Sequence, residues 1–389
     1  MYGFFLLLLI SLFLNFFLPL NFFFYIIVIL GVLLFIEAVI KKKIKINFLL
    51  HFIIIFLFTF IIYQHSDNAD TPMYHLQIIK WLNSEKIVFG LSNLEIRFGS
   101  NSLWFGIISL FQFKIDDFNT IYTFNIIPFS VLVYQIIKKE NSLSYIFIVL
   151  TISYILFFSF LHPFRNGVIL NHLHNTEIDT AGMIFFILSF YLLLKFFENN
   201  EVQNLRLLII CSIICFLIQI SYAPVILFAL IGVIKYYKKN LINLFREKLN
   251  LIIIVFLLLW LIKNFINSGC LIFPVSLTCF NVSWSPGIEE IDTYSKIVKG
   301  FARDTRDRLR YTDFEYTIHT YNWLIPWFKD YVLNTALIKI SFFIFLLSTI
   351  FIFIFNKFKL FDEIFFTKKK YYIILFFVFF PNIYVWFQA

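Results

Sequence analysis

Apolar stretches long enough to cross a bilayer recur along this chain from one end to the other, and that recurrence constrains its fold before any single residue is weighed. A helix needs about 20 residues to span the hydrocarbon core, with a working range of about 17 to 25. Only helices and closed barrels satisfy their backbone polar groups there. Such segments occupy residues 3–20, 22–40, 46–63, 119–137, 142–161, 180–197, 205–220, 222–237, 249–266, 333–355 and 371–389. The expected fold class is all-α: a polytopic membrane protein of about eleven transmembrane helices, forming a single transmembrane domain over 1–389. With 61% of its 389 residues hydrophobic and 14% charged, the chain lacks the polar surface that a water-soluble fold needs. Its 57 phenylalanines read as lipid-facing or helix-packing surface. The opening MYGFFLLLLI has neither a basic leader nor a small-residue cleavage site, which marks a retained first span rather than a signal peptide.

A net charge of +9 in a soluble protein would suggest nucleic acid, but here the basic residues cluster beside apolar segments, where they set orientation. The clusters are Lys41 to Lys45, Lys138 and Lys139, Lys195 with Arg206, Lys235 to Lys248, and Lys357 to Lys370. They follow alternate spans, so all lie on one side if the N-terminus is cytoplasmic. The same alternation puts loops 64–118, 162–179 and 267–332 outside. Two cysteines, Cys211 and Cys215, fall within an apolar segment, whereas Cys270 and Cys279 fall in the third outer loop, where a disulfide can form.

Most of the unusual polar chemistry sits in those outer loops. In the first, Asp70-Thr71-Pro72 reads as a helix start, with Asp70 or Thr71 as N-cap and Asp70 held ionised by the helix dipole. Met73, Leu76, Ile79 and Leu82 then repeat at helical spacing, with His75, Gln77, Lys80 and Asn83 on a polar side, which predicts a membrane-surface helix over 72–83. Residues 102–113, SLWFGIISLFQF, are too short to span and read as a second interfacial or re-entrant helix. Tyr74 lies one turn after Asp70 and Asp67 one turn before it. Between the two helices lie Asn93, Glu95, Arg97, Asn101 and Ser102, of which Arg97 has the fork geometry for a phosphate. The second outer loop, HPFRNGVILNHLHNTEIDTAG, carries Arg165, His172, His174, Glu177 and Asp179. Its spacings permit a divalent cation, yet no standard ligand framework appears, so a metal is not favoured and no cofactor is certain. The plainer role for Glu177 and Asp179 is helix N-terminal charge, with Thr176 or Thr180 as cap. In the third loop, 301–311 alternates charges as an exposed amphipathic helix would.

An outer loop opening on Asp with Tyr four residues later, two surface helices and a second acidic outer loop before the next span together resemble the GT-C membrane glycosyltransferases. In the protein mannosyltransferase and aminoarabinose transferase branch the motif reads Asp-Glu-x-x-Tyr; here it is Asp70-Thr71-Pro72-Met73-Tyr74, without the second acid. Residues 70–105 are more similar to a group of bacterial GT-C-like membrane proteins, whose form is Asp-Thr-x-x-Tyr-His, then Gly-Leu-x-Asn-Leu, then Arg-x-x-x-Asn-Ser. Their Arg-Asn-x-x-x-Ser-Gly element, followed by Pro, resembles 263–274, with Lys263 in place of Arg.

The resemblance implies a sugar donor linked to polyprenyl phosphate, a glycan, lipid or protein acceptor, and a site on the outer face of a bacterial plasma membrane. It implies Asp70 as the base, with Tyr74 and His75 orienting it or the sugar. It also implies Arg97 on the carrier phosphate with Lys263 or Arg165 as second contacts, and Asp179 or Glu177 as the second-loop acid. Asp67, Asn93 and Asn101 complete the expected substrate-binding set. Competing expectations are an O-antigen-type polymerase or ligase using lipid pyrophosphate, which would depend on Arg303 to Arg310, and a transporter, which would bury ionisable groups within its spans.

Overall fold

A computed structural model describes residues 1–41, 53, 70–115, 118–137, 176–236 and 248–303. These residues are helical apart from short connections and one two-residue antiparallel pairing. The helices are α1 (Tyr2–Asn15), α2 (Phe24–Ile40), α3 (Leu76–Ser84), α4 (Leu103–Leu110), α5 (Ile126–Ile137), α6 (Ile178–Asn199), α7 (Val202–Ile218), α8 (Ile226–Tyr236), α9 (Lys248–Ser268) and α10 (Ile288–Arg303). The pairing joins β1 (Lys114–Ile115) to β2 (Phe118–Asn119), with Lys114 opposite Asn119.

Three helices are long and apolar enough to cross a membrane: Leu20–Ile40, Ile178–Asn199 and Lys248–Ser268. Shorter apolar helices cover Tyr2–Asn15, Thr120–Tyr134, Val202–Ile218 and Ile220–Tyr236. The expected spans at 3–20, 22–40, 119–137, 180–197, 205–220, 222–237 and 249–266 thus all coincide with apolar helices. Those at 46–63, 142–161, 333–355 and 371–389 lie outside the described residues. The long helices differ in surroundings: 89% of the apolar window of Ile178–Asn199 is enclosed by protein, and none of that of Leu20–Ile40. A helix apolar on every side and with most of its surface exposed is suited to lipid contact.

The chain divides into two units. The first, Met1–Phe273 with Val282–Ser285, contains helices α1 to α9. Within it α6 packs along α7 and against α5 and α8, while α1 packs against α4, α7 and α9. Every residue of α4 is buried. This helix, expected to be interfacial or re-entrant, is enclosed by protein rather than lying on its surface. A Cβ on Gly106 would stand 2.9 Å from Ser11 Oγ, so α1 and α4 approach closely there. Trp104 Nε1 donates to Asn125 Oδ1 at 2.8 Å, pairing the indole N–H that burial would otherwise leave unsatisfied. Cys211 and Cys215 on α7 are buried free thiols, and Cys270 is disulfide-bonded.

The second unit comprises Pro274–Asn281 and 286 onward. Its described part holds α10, whose Asp292 and Lys296 pair at 3.0 Å, and the disulfide-bonded Cys279. Of the charged amphipathic helix expected at 301–311, residues 301–303 form the end of α10 and 304–311 lie outside the described residues.

Candidate functional site

The site begins at a widened helical turn. Thr71–His75 winds as a π-helix before α3, and the Leu76 N–H reaches back five residues to the Thr71 carbonyl. Pro72 stands in the first turn of this segment, where its missing N–H leaves no bond within the segment unmade. Asp70 already has helical backbone angles and its side chain makes no capping hydrogen bond. The expected N-cap role for Asp70 is therefore corrected.

Within the wide turn the inward face differs from the sequence reading. Thr71, His75, Ile78 and Ile79 turn inward, while Met73 is exposed. His75, expected on the polar side, is 2% exposed and sits against Phe105 of α4 and Tyr74, with ring centroids 5.0 and 4.3 Å away. Its Nδ1 lies 2.8 Å from Thr176 Oγ1, which is also 3.0 Å from Thr71 Oγ1. A hydroxyl carries one proton, so Thr176 donates to at most one of these neighbours. Burial lowers the His75 pKa to about 4, so the ring is neutral at physiological pH.

Thr176 leads into α6, and its hydroxyl serves this tie rather than the cap expected of it. Glu177 holds the N-cap position with no side-chain capping bond. Its carbonyl accepts from Asn125 Nδ2 at 3.0 Å, and the Asp179 carbonyl accepts from the Tyr222 hydroxyl at 2.9 Å. Tyr222 lies so close to α6 that a Cβ on Gly182 would stand 2.2 Å from its ring. The start of α6 is thus fixed from two sides, and with it the second-loop acids.

Arg97 arrives on a separate anchored segment. Gly90, at φ 64°, opens the one-turn helix Leu91–Leu94, and its N–H donates to the Ile266 carbonyl on α9 at 2.9 Å. Ser92 Oγ donates to the Asn267 carbonyl and Asn93 Nδ2 to the Trp284 carbonyl. These bonds carry the chain into the turn Ile96–Gly99. There Arg97 Nε donates to Glu95 Oε1 at 2.9 Å, and the guanidinium lies 5.3 Å from the Tyr74 ring centroid. That bond holds the Glu95 carboxyl below its usual range. A stacked guanidinium with one edge fixed by a carboxylate is oriented, which suits phosphate recognition.

The electrostatics bind these parts together. Burial first, and then the Glu177 carboxylate, push the Asp70 carboxyl above its ordinary value, with Arg97 pulling the other way. The expectation of an aspartate stabilised in its charged form by the helix end is thereby corrected. A carboxylate with a raised pKa binds a proton more readily, as general base work requires. Of the two second-loop acids, Glu177 is the one whose charge is felt at Asp70, while Asp179 is exposed on the first turn of α6.

The remaining expected residues separate from this cluster. Asn93 anchors the loop through its bond to Trp284. Asn101 and Lys263 line a cleft beneath α3, with Asn15, Ser102 and Asn267, into which none of Asp70, Tyr74, His75, Arg97 and Glu177 projects. Asp67, Arg165, His172 and His174 lie outside the described residues. Among the described residues no three His, Cys, Asp or Glu side chains are grouped as metal ligands. Sequence reasoning missed the Thr71–Thr176–His75 tie and the Glu95 partner of Arg97.

A family model described as a domain of unknown function (DUF8201) matches residues 1–389. No curated protein and no solved structure matches the chain.

Proposed function

The chain belongs to the DUF8201 family; from the site geometry and the resemblance of its outer loops we propose that it is a GT-C-like membrane glycosyltransferase of about eleven spans, moving a sugar from a polyprenyl-phosphate carrier to an extracytoplasmic acceptor. One observation carries this: Asp70, Arg97 on Tyr74, and Glu177 converge from two loops that the basic-residue pattern puts outside the membrane. The disulfide bonding of Cys270 and Cys279, in a third loop on that same side, supports the orientation.

Asp70 takes the proton of the acceptor hydroxyl as its oxygen attacks the anomeric carbon. The anomeric C–O bond to phosphate breaks on the opposite face, the polyprenyl phosphate leaves with the bonding electron pair, and the anomeric configuration inverts. Phosphate is a competent leaving group, so one base suffices and no acid need replace the glutamate missing after Asp70. Arg97 holds the carrier phosphate through charge-assisted bonds, Tyr74 sets the plane of the guanidinium, and His75 fixes the turn that carries Asp70. The test is turnover of a lipid-linked sugar by purified Asp70→Asn protein, where full retained activity overturns the assignment.

A further inference from the structure

Lys263 projects from α9 with only 5% of its surface exposed, and among the described residues it makes no hydrogen bond or ion pair. A buried cation without a counter-charge is expensive to keep, and an ionisable group within an apolar helix calls for a partner. It lines a cleft bounded by Ile78, Trp81, Leu82, Phe98 and Leu91. Asn101 and Ser102 line the same cleft, and Asn101 Nδ2 and Ser102 Oγ are both buried without a hydrogen-bond partner. Buried polar groups in folded proteins are almost always paired, so three neighbouring donors left open indicate something that accepts.

The backbone around them is already satisfied. The Asn101 carbonyl accepts from Trp260 Nε1 at 3.1 Å, the Asn267 carbonyl from Ser92 Oγ, and Asn15 Nδ2 donates to the Glu85 carbonyl. The charged side chains lining the cleft besides Lys263 are Lys86 and Glu85, both exposed at its rim, which leaves the interior positive.

We infer that this cleft is an oxyanion site for a phosphoryl group, held by Lys263 Nζ, Asn101 Nδ2 and Ser102 Oγ. An ammonium, an amide N–H and a hydroxyl all donate, and a phosphoryl group offers several acceptor oxygens to meet them. The apolar walls from α3 suit a phosphate carried on a lipid as well as free phosphate. The resemblance also implies a phosphate contact for Lys263 and a substrate contact for Asn101, but the inference stands on the open donors of a cleft that shares no side chain with the Asp70 cluster.

The experiment uses the full chain in phosphatidylcholine nanodiscs. Calorimetric titration with inorganic phosphate and pyrophosphate reads the free anion, and thermal unfolding in discs with and without phosphatidic acid reads the lipid headgroup. Saturable binding or headgroup-dependent stabilisation in either arm is the expected result, and the responding arm identifies the source. Lys263→Met should weaken it at least tenfold and Lys263→Arg should restore most of it. Asn101→Ala and Ser102→Ala should each weaken it several-fold, and they decide the matter if Lys263→Met does not fold. Asp70→Asn should leave it unchanged. No response in either arm means a cleft holding water only and overturns the inference, as does wild-type binding in the three weakening variants or loss of binding in Asp70→Asn.

Discussion

His75 Nδ1 stands 2.8 Å from the hydroxyl of Thr176, 101 positions further along the chain, and this contact ties the turn carrying Asp70 to the start of α6. Thr176→Val preserves shape and removes the hydroxyl, leaving His75 Nδ1 and Thr71 Oγ1 buried without it. The expected cost is roughly 1–3 kcal/mol, measured by thermal unfolding in detergent micelles.

The same histidine makes stability depend on acid. Its pKa falls from about 6.5 to about 4 on folding, so between those values the unfolded chain binds more protons than the folded one. Stability is therefore fully present above about pH 6.5 and is lost as pH falls toward 4, by up to roughly 3 kcal/mol. His75→Asn, which keeps a polar atom near the Nδ1 position, should flatten that part of the pH–stability curve. An unchanged acid limb in the variant would assign the effect to another group.

What was legible in the sequence follows from the range over which each signal acts. Apolar span-length segments and the amphipathic period of 72–83 are local, and each described one is a helix. Within α3 the expected period holds, with Ile79 buried and Gln77 and Lys80 exposed, whereas Met73 and His75 were misassigned because Thr71–His75 winds as a π-helix rather than at the regular period. Thr176 looked like an ordinary cap since its partners are 101 and 105 residues away, a separation no local pattern reports. Arg97 and Tyr74 were both singled out, but their stacking depends on Gly90 and Ser92 docking onto α9, which is likewise tertiary.

That docking is itself testable. Gly90 has φ 64°, and a Cβ there would stand 2.4 Å from the Trp284 carbonyl oxygen, a backbone atom with little room to yield. Gly90→Ala should cost about 1–2 kcal/mol in left-handed strain and more from the contact. Because the Arg97 turn hangs from this point, the donor KM should rise in the variant even at temperatures where it stays folded.

Arg97→Lys separates charge from geometry. The lysine keeps a positive charge but loses the planar fork, the stack on Tyr74 and the directed bond to Glu95. If Arg97 binds the carrier phosphate, the variant should lose about 1–3 kcal/mol of donor binding, roughly fivefold to 150-fold in KM. Steady-state kinetics over donor concentration at fixed acceptor checks this, and a fall in kcat with an unmoved KM would point to a role other than phosphate binding.

The charge pair flanking Asp70 predicts opposite movements of the pH–rate profile. A general base must be deprotonated to act, so activity falls on the acid side through its pKa. The Glu177 carboxylate raises the Asp70 value and the Arg97 guanidinium lowers it. Glu177→Gln removes a negative neighbour, so the acid limb of kcat/KM should move to lower pH. Arg97→Gln removes a positive one and should move it to higher pH, on top of its binding defect. Asp70→Asn should abolish the limb and reduce the rate about 10²- to 10⁴-fold. Movement of both substitutions in the same direction would mean that the titrating group is not Asp70, because no carboxylate placed between these two charges responds to their removal with the same sign.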